Sequence, residues 1–168
     1  MGGHSFKIIN CNRSIMPIII KTPTDLPDDI LELLNEARKV GNNAYNKYSN
    51  FIVGAAVRTK SGKIYTGTFL ENSSFGLTIC AEPAAIMNAN SNGDYNIDTI
   101  AIVGGDPVLM ENAPVTPCGR CRQIIYEASV VSKQDIDIYC SDLEVKTVLI
   151  TTISELLPIP FMKINYSA

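Results

Sequence analysis

The chain has 168 residues, enough for one domain with a buried core, and 46% of them are apolar, an ordinary share for a globular protein. A formal net charge of −3 argues against a nucleic-acid polymer as substrate, which would need a basic face, and favours a small, uncharged ligand. Five cysteines, an odd number with a single C-x-x-C, read as metal ligands in a reducing compartment, the cytoplasm, rather than as a disulfide framework.

Residues 1–27 read as an N-terminal extension with room for a short strand, and residues 28–168 as the domain proper. Met1-Gly2-Gly3 opens like a myristoylation site, but Phe6 stands where that motif wants Ser or Thr. The apolar patch over residues 15–20 contains Pro17 and is too short for a signal segment or a membrane span.

Pro27, Asp28 and Asp29 suit the first turn of a helix, and Ile30, Leu33, Leu34, Ala37 and Val40 then recur at helical spacing. Residues 51–59 read as a strand, Lys60-Ser61-Gly62-Lys63 as a turn, and residues 64–70 as the returning strand of a hairpin. Ala84, Ala85 and Ala89 favour a helix over residues 81–89, which Ser91-Asn92-Gly93-Asp94 stops. Residues 99–103 are an apolar strand ending at Gly104-Gly105. Pro117 precedes a helix over residues 118–128, and residues 136–140 and 145–151 supply two further strands. This order predicts an α/β sheet layered by helices, with no repeat and no second domain.

Chemistry concentrates at Cys80-Ala81-Glu82 and Pro117-Cys118-Gly119-Arg120-Cys121, both at predicted helix starts. Three thiols and a carboxylate in this order form the signature of a zinc site that activates water to deaminate a base. Cys80, Cys118 and Cys121 hold the metal and leave one tetrahedral position open, as a catalytic site requires, and Glu82, which does not bind metal, carries protons. Exposed N–H groups and the positive end of the helix dipole stabilise thiolates there. A lone C-x-x-C also reads as half a structural zinc knuckle or a redox pair. The knuckle reading needs a fourth ligand, but Cys11 and Cys140 lie in no ligand-like spacing, and His4, the only histidine, sits near the N-terminus.

Several further blocks, in order, resemble the cytidine deaminase family: Tyr48-Ser49-Asn50-Phe51-Ile52-Val53-Gly54-Ala55-Ala56, Tyr65-Thr66-Gly67, Leu70-Glu71-Asn72-Ser73-Ser74-Phe75-Gly76-Leu77-Thr78, Cys121-Arg122-Gln123 and Glu155-Leu156-Leu157-Pro158. The resemblance, over roughly residues 28–161, implies a three-layer α/β sandwich with a five-stranded mixed sheet flanked by helices. It also implies one zinc per chain and, as in the short three-cysteine branch, a homotetramer with shared active sites. The implied reaction is hydrolytic deamination of cytidine, deoxycytidine or a related cytosine nucleoside, in pyrimidine salvage. Phe51 matches a phenylalanine beside the base, Glu71 a carboxylate on the ribose, and Phe161 an aromatic donated by another subunit. The Thr116 backbone would lie near the departing amino group, and Ala81 is placed with these residues at the substrate. Without the resemblance, Phe51 reads as a core aromatic, Glu71 as a solvated strand-end charge and Phe161 as cover for an apolar edge.

Three departures bear on the substrate. Pro83 stands where the cytidine enzymes carry Arg after C-A-E, and Arg120 lies inside the C-x-x-C. Three thiolates outweigh one Zn²⁺, so Arg120 reads as the charge that offsets the excess, or alternatively as a solvent-facing residue. The absent arginine and Pro-Cys-Gly-Arg-Cys-Arg-Gln also resemble blasticidin S deaminase, so blasticidin S or another modified cytosine nucleoside is the rival substrate. A catalytically silent zinc-binding scaffold is the rival from another class. Phe69 replaces the asparagine that usually contacts the sugar, and a buried hydroxyl facing phenylalanine is unfavourable.

Overall fold

The computed structural model describes residues 19–109 and 113–162; His4, Cys11 and most of the N-terminal extension lie outside them. Strands β1 (Ile19–Lys21), β2 (Ile52–Thr59), β3 (Ile64–Thr68), β4 (Ile97–Gly105), β5 (Asp137–Asp142) and β6 (Val148–Thr152) form one sheet in the order β1-β6-β5-β4-β2-β3. Only β4 and β5 run parallel, so the sheet is mixed as expected. Among the described residues it has six strands, however, where five were expected. The additional strand is β1, in which Ile19, Ile20 and Lys21 pair with Ile150, Leu149 and Val148 and satisfy backbone groups along the outer edge of β6. Three residues closely following Pro17 are too few to produce an alternating pattern.

Helices α1 (Asp28–Gly41), α2 (Ala81–Ser91), α3 (Gly119–Ser132) and α4 (Ile153–Leu156) complete the three layers. Period-two alternation sorts the central strands between two cores. Val53, Ala55 and Val57 of β2, Ile100 and Ile102 of β4, and Ile138 and Cys140 of β5 join Ala85, Ile86, Ile125 and Ala128 from α2 and α3. Ala56, Ala101 and Val103 point the other way, onto Ile30, Leu33, Leu34 and Ala37 of α1. Burial on both faces explains why these strands read as near-continuous apolar runs. Helix α3 extends to Ser132, four residues beyond its expected end, and stops where Lys133 takes a left-handed conformation at φ 55°.

Two glycines set how closely the helices lie on the sheet. A Cβ at Gly54 would stand 2.0 Å from the Ala37 carbonyl oxygen, so α1 packs directly on β2 backbone. A Cβ at Gly67 would stand 2.2 Å from the Ala85 nitrogen and 2.7 Å from the Ala81 oxygen, so β3 admits the first turns of α2 just as closely. Among the described residues, no helix is long and apolar enough to cross a membrane.

Candidate active site

The close seat of α2 on β3 brings its first turn beside that of α3. Cys80 is the residue before α2, Cys118 the residue before α3, and Cys121 lies in the first turn of α3. Their sulfurs lie within 4.8 Å of one another: Cys80 to Cys118 is 4.0 Å and Cys118 to Cys121 is 3.4 Å. Tetrahedral Zn–S bonds of about 2.3 Å place sulfurs about 3.8 Å apart, so soft donors of this number and spacing fit zinc. Cys118 is exposed, Cys80 half-buried and Cys121 buried, so the cluster opens to one side. Cys140 lies in the core and is not part of it.

The thiols interact strongly. Hydrogen bonding to Cys121 is the main reason the Cys80 thiol falls to about 7; Cys118 and the Arg120 guanidinium assist, while burial and Glu82 oppose. Cys121 is pushed up, first by its interaction with Cys80 and then by burial and by Glu82. Cys121 therefore holds its proton where a second thiolate beside Cys80 would be repelled, and a cation relieves that repulsion. Arg120 is exposed, and its Nη1 donates to the Thr78 carbonyl at 3.4 Å, which keeps the guanidinium beside the cluster.

Glu82 follows Cys80 by two residues and is only 4% exposed. Burial holds its carboxyl above the usual carboxylate range, against opposing hydrogen bonds from its own backbone and from Cys121. A carboxyl raised in this way is suited to exchanging protons near neutral pH. Glu82 lines a cavity of about 200 Å³ together with Cys80, Ala81, Cys118, Phe51, Val53, Phe69, Val115 and Thr116. Phe51, Phe69, Ala81 and Thr116, far apart in sequence, thus meet at the thiols. Phe51 is delivered by Asn50, whose φ of 59° is a left-handed turn that asparagine tolerates, while the Ser49 hydroxyl accepts the Phe51 N–H at 3.1 Å.

Glu71 does not line this cavity. It is nearly buried, and its Oε2 accepts N–H groups from Tyr48 at 2.8 Å and Ser49 at 3.3 Å, so it braces the loop that delivers Phe51. The Ser49 hydroxyl and these two N–H groups hold its carboxyl below the usual range, against burial. Phe161 is also absent from the lining and is 81% exposed. Val53 and Val115 were not anticipated at the site because a valine in an apolar run gives no chemical signal. Arg122 was missed as well: its Nε donates to the Pro117 carbonyl at 2.9 Å and its Nη1 to the Leu156 carbonyl at 3.1 Å, pinning the turn that carries Cys118 to α4.

Known proteins resemble this chain in sequence and fold. The cytidine deaminase of Sporosarcina psychrophila is 36% identical over 142 residues, which cover 83% of this chain and 98% of that one. The blasticidin-S deaminase of Bacillus cereus is 36% identical over 119 residues, covering 66% and 77%. The crystal structure of cytidine deaminase from Burkholderia pseudomallei superposes with a TM-score of 0.69 at 34% identity, over 78% of this chain and 98% of that one. Residues 27–134, which carry both cysteine motifs and Glu82, match the cytidine and deoxycytidylate deaminase zinc-binding region, and the chain belongs to that family.

Proposed function

We propose that this protein is a zinc-dependent hydrolase that converts cytidine, deoxycytidine or a related cytosine nucleoside to the uracil nucleoside, with release of ammonia. The observation that carries this reading is the convergence of Cys80, Cys118, Cys121 and Glu82 on one cavity walled by Phe51 and Phe69. Zinc held by Cys80, Cys118 and Cys121 would supply a bound water acidic enough to ionise near neutral pH. Glu82 takes a proton from the attacking water and passes it to N3 of the base as C4 is attacked, then takes the remaining proton from the new C4 hydroxyl and passes it to the amino group, which leaves as ammonia as the C4 carbonyl forms. Phe51 and Phe69 hold the ring against Ala81, and the Thr116 backbone faces the leaving nitrogen. Arg120 offsets the thiolate charge.

The functional unit is proposed to be a homotetramer with shared sites. A cavity of about 200 Å³ is smaller than the roughly 300–1,000 Å³ of typical ligand pockets, which suits a base with the sugar enclosed by a neighbouring chain's Phe161. Unpaired Cys80, Cys118, Cys121 and Cys140 suit the cytoplasm, where nucleoside salvage takes place. Arg120 favours a second reading, blasticidin S, while Phe69 favours a modified cytosine nucleoside that lacks the usual sugar hydroxyl or presents it differently. The buried Glu82 disfavours a silent scaffold, since a structural metal site has no use for a desolvated carboxyl.

Ammonia release from cytidine, deoxycytidine, sugar-modified cytidines, blasticidin S and free cytosine tests the proposal. Glu82→Gln is expected to keep zinc and lose about 10²-fold or more in kcat. Near-normal turnover by that variant would assign proton transfer to another group.

A further inference from the structure

Consecutive side chains near the start of α3 hold the C-terminal segment. Arg122 binds the Leu156 carbonyl, as described above, and Gln123 grips Phe161 from both sides. The Gln123 Nε2 donates to the Phe161 carbonyl at 2.9 Å, and its Oε1 accepts the Phe161 N–H at 3.0 Å. One amide side chain thus satisfies both backbone groups of one residue, as a neighbouring strand would. The Phe161 ring gains nothing from this within its own chain: it is 81% exposed, with Ile159 beside it at 77% and Met162 at 59%. The two hydrogen bonds offset the freedom lost in pinning the backbone, yet the ring itself stays in water, so the clamp fixes a ring that its own chain does not bury.

We infer that Gln123 is a positioning residue that fixes the direction in which Phe161 leaves its own chain, and so governs substrate affinity in a neighbouring chain's cavity. The inference rests on the shared-site reading given above. Gln123 lies two residues after Cys121 on the same helix, so one rigid element carries a proposed zinc ligand of its own site and aims the ring that closes another. Without the clamp the segment keeps its sequence and loses its register. Substrate would then bind more weakly in a site that is otherwise intact.

Gln123→Met keeps side-chain length and helix propensity but forms neither bond, and Gln123→Ala shortens the side chain as well. Both are compared with Phe161→Ala and with the Gln123→Met/Phe161→Ala double variant. Bound zinc, oligomer size, kcat and KM for cytidine are measured on each full-length protein. Gln123→Met is expected to raise KM about tenfold, more than it lowers kcat, with zinc content unmoved. Phe161→Ala should raise KM at least as much, and the double variant should be no worse than Phe161→Ala, because the clamp acts only through that ring. An unchanged KM in both Gln123 variants, or effects that multiply in the double variant, would overturn the clamp while leaving the shared site standing. An unchanged KM in Phe161→Ala would overturn the shared site and the clamp with it.

Discussion

Helices α1 and α2 cover opposite faces of one sheet and are seated by the same device, a glycine whose missing Cβ lets helix backbone rest on strand backbone. Their N-termini are treated differently. The start of α1 carries Asp28 and Asp29 in water, and Arg58 binds the Asp29 carboxylate and the Glu32 carboxylate, each at 2.9 Å. Solvated acids there satisfy the helix dipole and do no chemistry. The start of α2 places a thiol at its cap and a carboxyl that is buried, and that thiol is held low chiefly by hydrogen bonding to Cys121. Packing makes both helices possible, and the desolvated groups at one end make a site.

Closing the two glycine contacts sharpens the contrast most. Gly54→Ala and Gly67→Ala each force backbone apart and should cost about 1–3 kcal/mol or more in chemical denaturation. Gly67→Ala should also lose zinc and most activity, because the displaced turn carries Cys80, whereas folded Gly54→Ala should keep its metal. Equal zinc retention in the two variants would show that the thiol cluster does not depend on the seat of α2.

Next in size is Phe69, which walls the cavity at the end of β3. Phe69→Asn should raise kcat/KM for cytidine by about tenfold, roughly 1.4 kcal/mol of transition-state binding, if the apolar wall disfavours a sugar hydroxyl. No change, alongside efficient turnover by the unaltered protein, would place control of the sugar elsewhere.

The smallest effect belongs to Glu71. Its carboxyl is held below the ordinary value, so the stability it contributes is present above the unfolded pKa of about 4.3 and is lost as pH falls through the lowered folded value. Glu71→Gln should therefore be less stable than the original protein near neutrality, with the gap narrowing in acid. Urea midpoints measured across that range would show it, and a gap independent of pH would remove the charge from the account.

Much of this organisation was legible in sequence because it follows from local pattern. The stripe Ile30, Leu33, Leu34 and Ala37 announces α1, and the paired cysteine motifs announce the thiol cluster, since each records a period or a spacing. What escaped depends on distant partners. Nothing near Gly67 says that Ala85 will arrive within a Cβ's reach, and nothing near Arg122 or Gln123 names Leu156 or Phe161 as their acceptors. Glu71 is a similar case: its block resembles a sugar-binding segment, yet its partners are the N–H groups of a loop more than twenty residues earlier.

The short strand β1 has a consequence for solubility. Val148, Leu149 and Ile150 of β6 would otherwise offer a bare row of amide and carbonyl groups flanked by apolar side chains, the kind of border that recruits a strand from another molecule. Three residues from the segment before α1 occupy that border. A chain trimmed to begin at residue 28 would keep every group that lines the cavity and yet carry a sticky margin on the far side of the sheet, so its defect would appear as self-association in storage rather than as slow turnover.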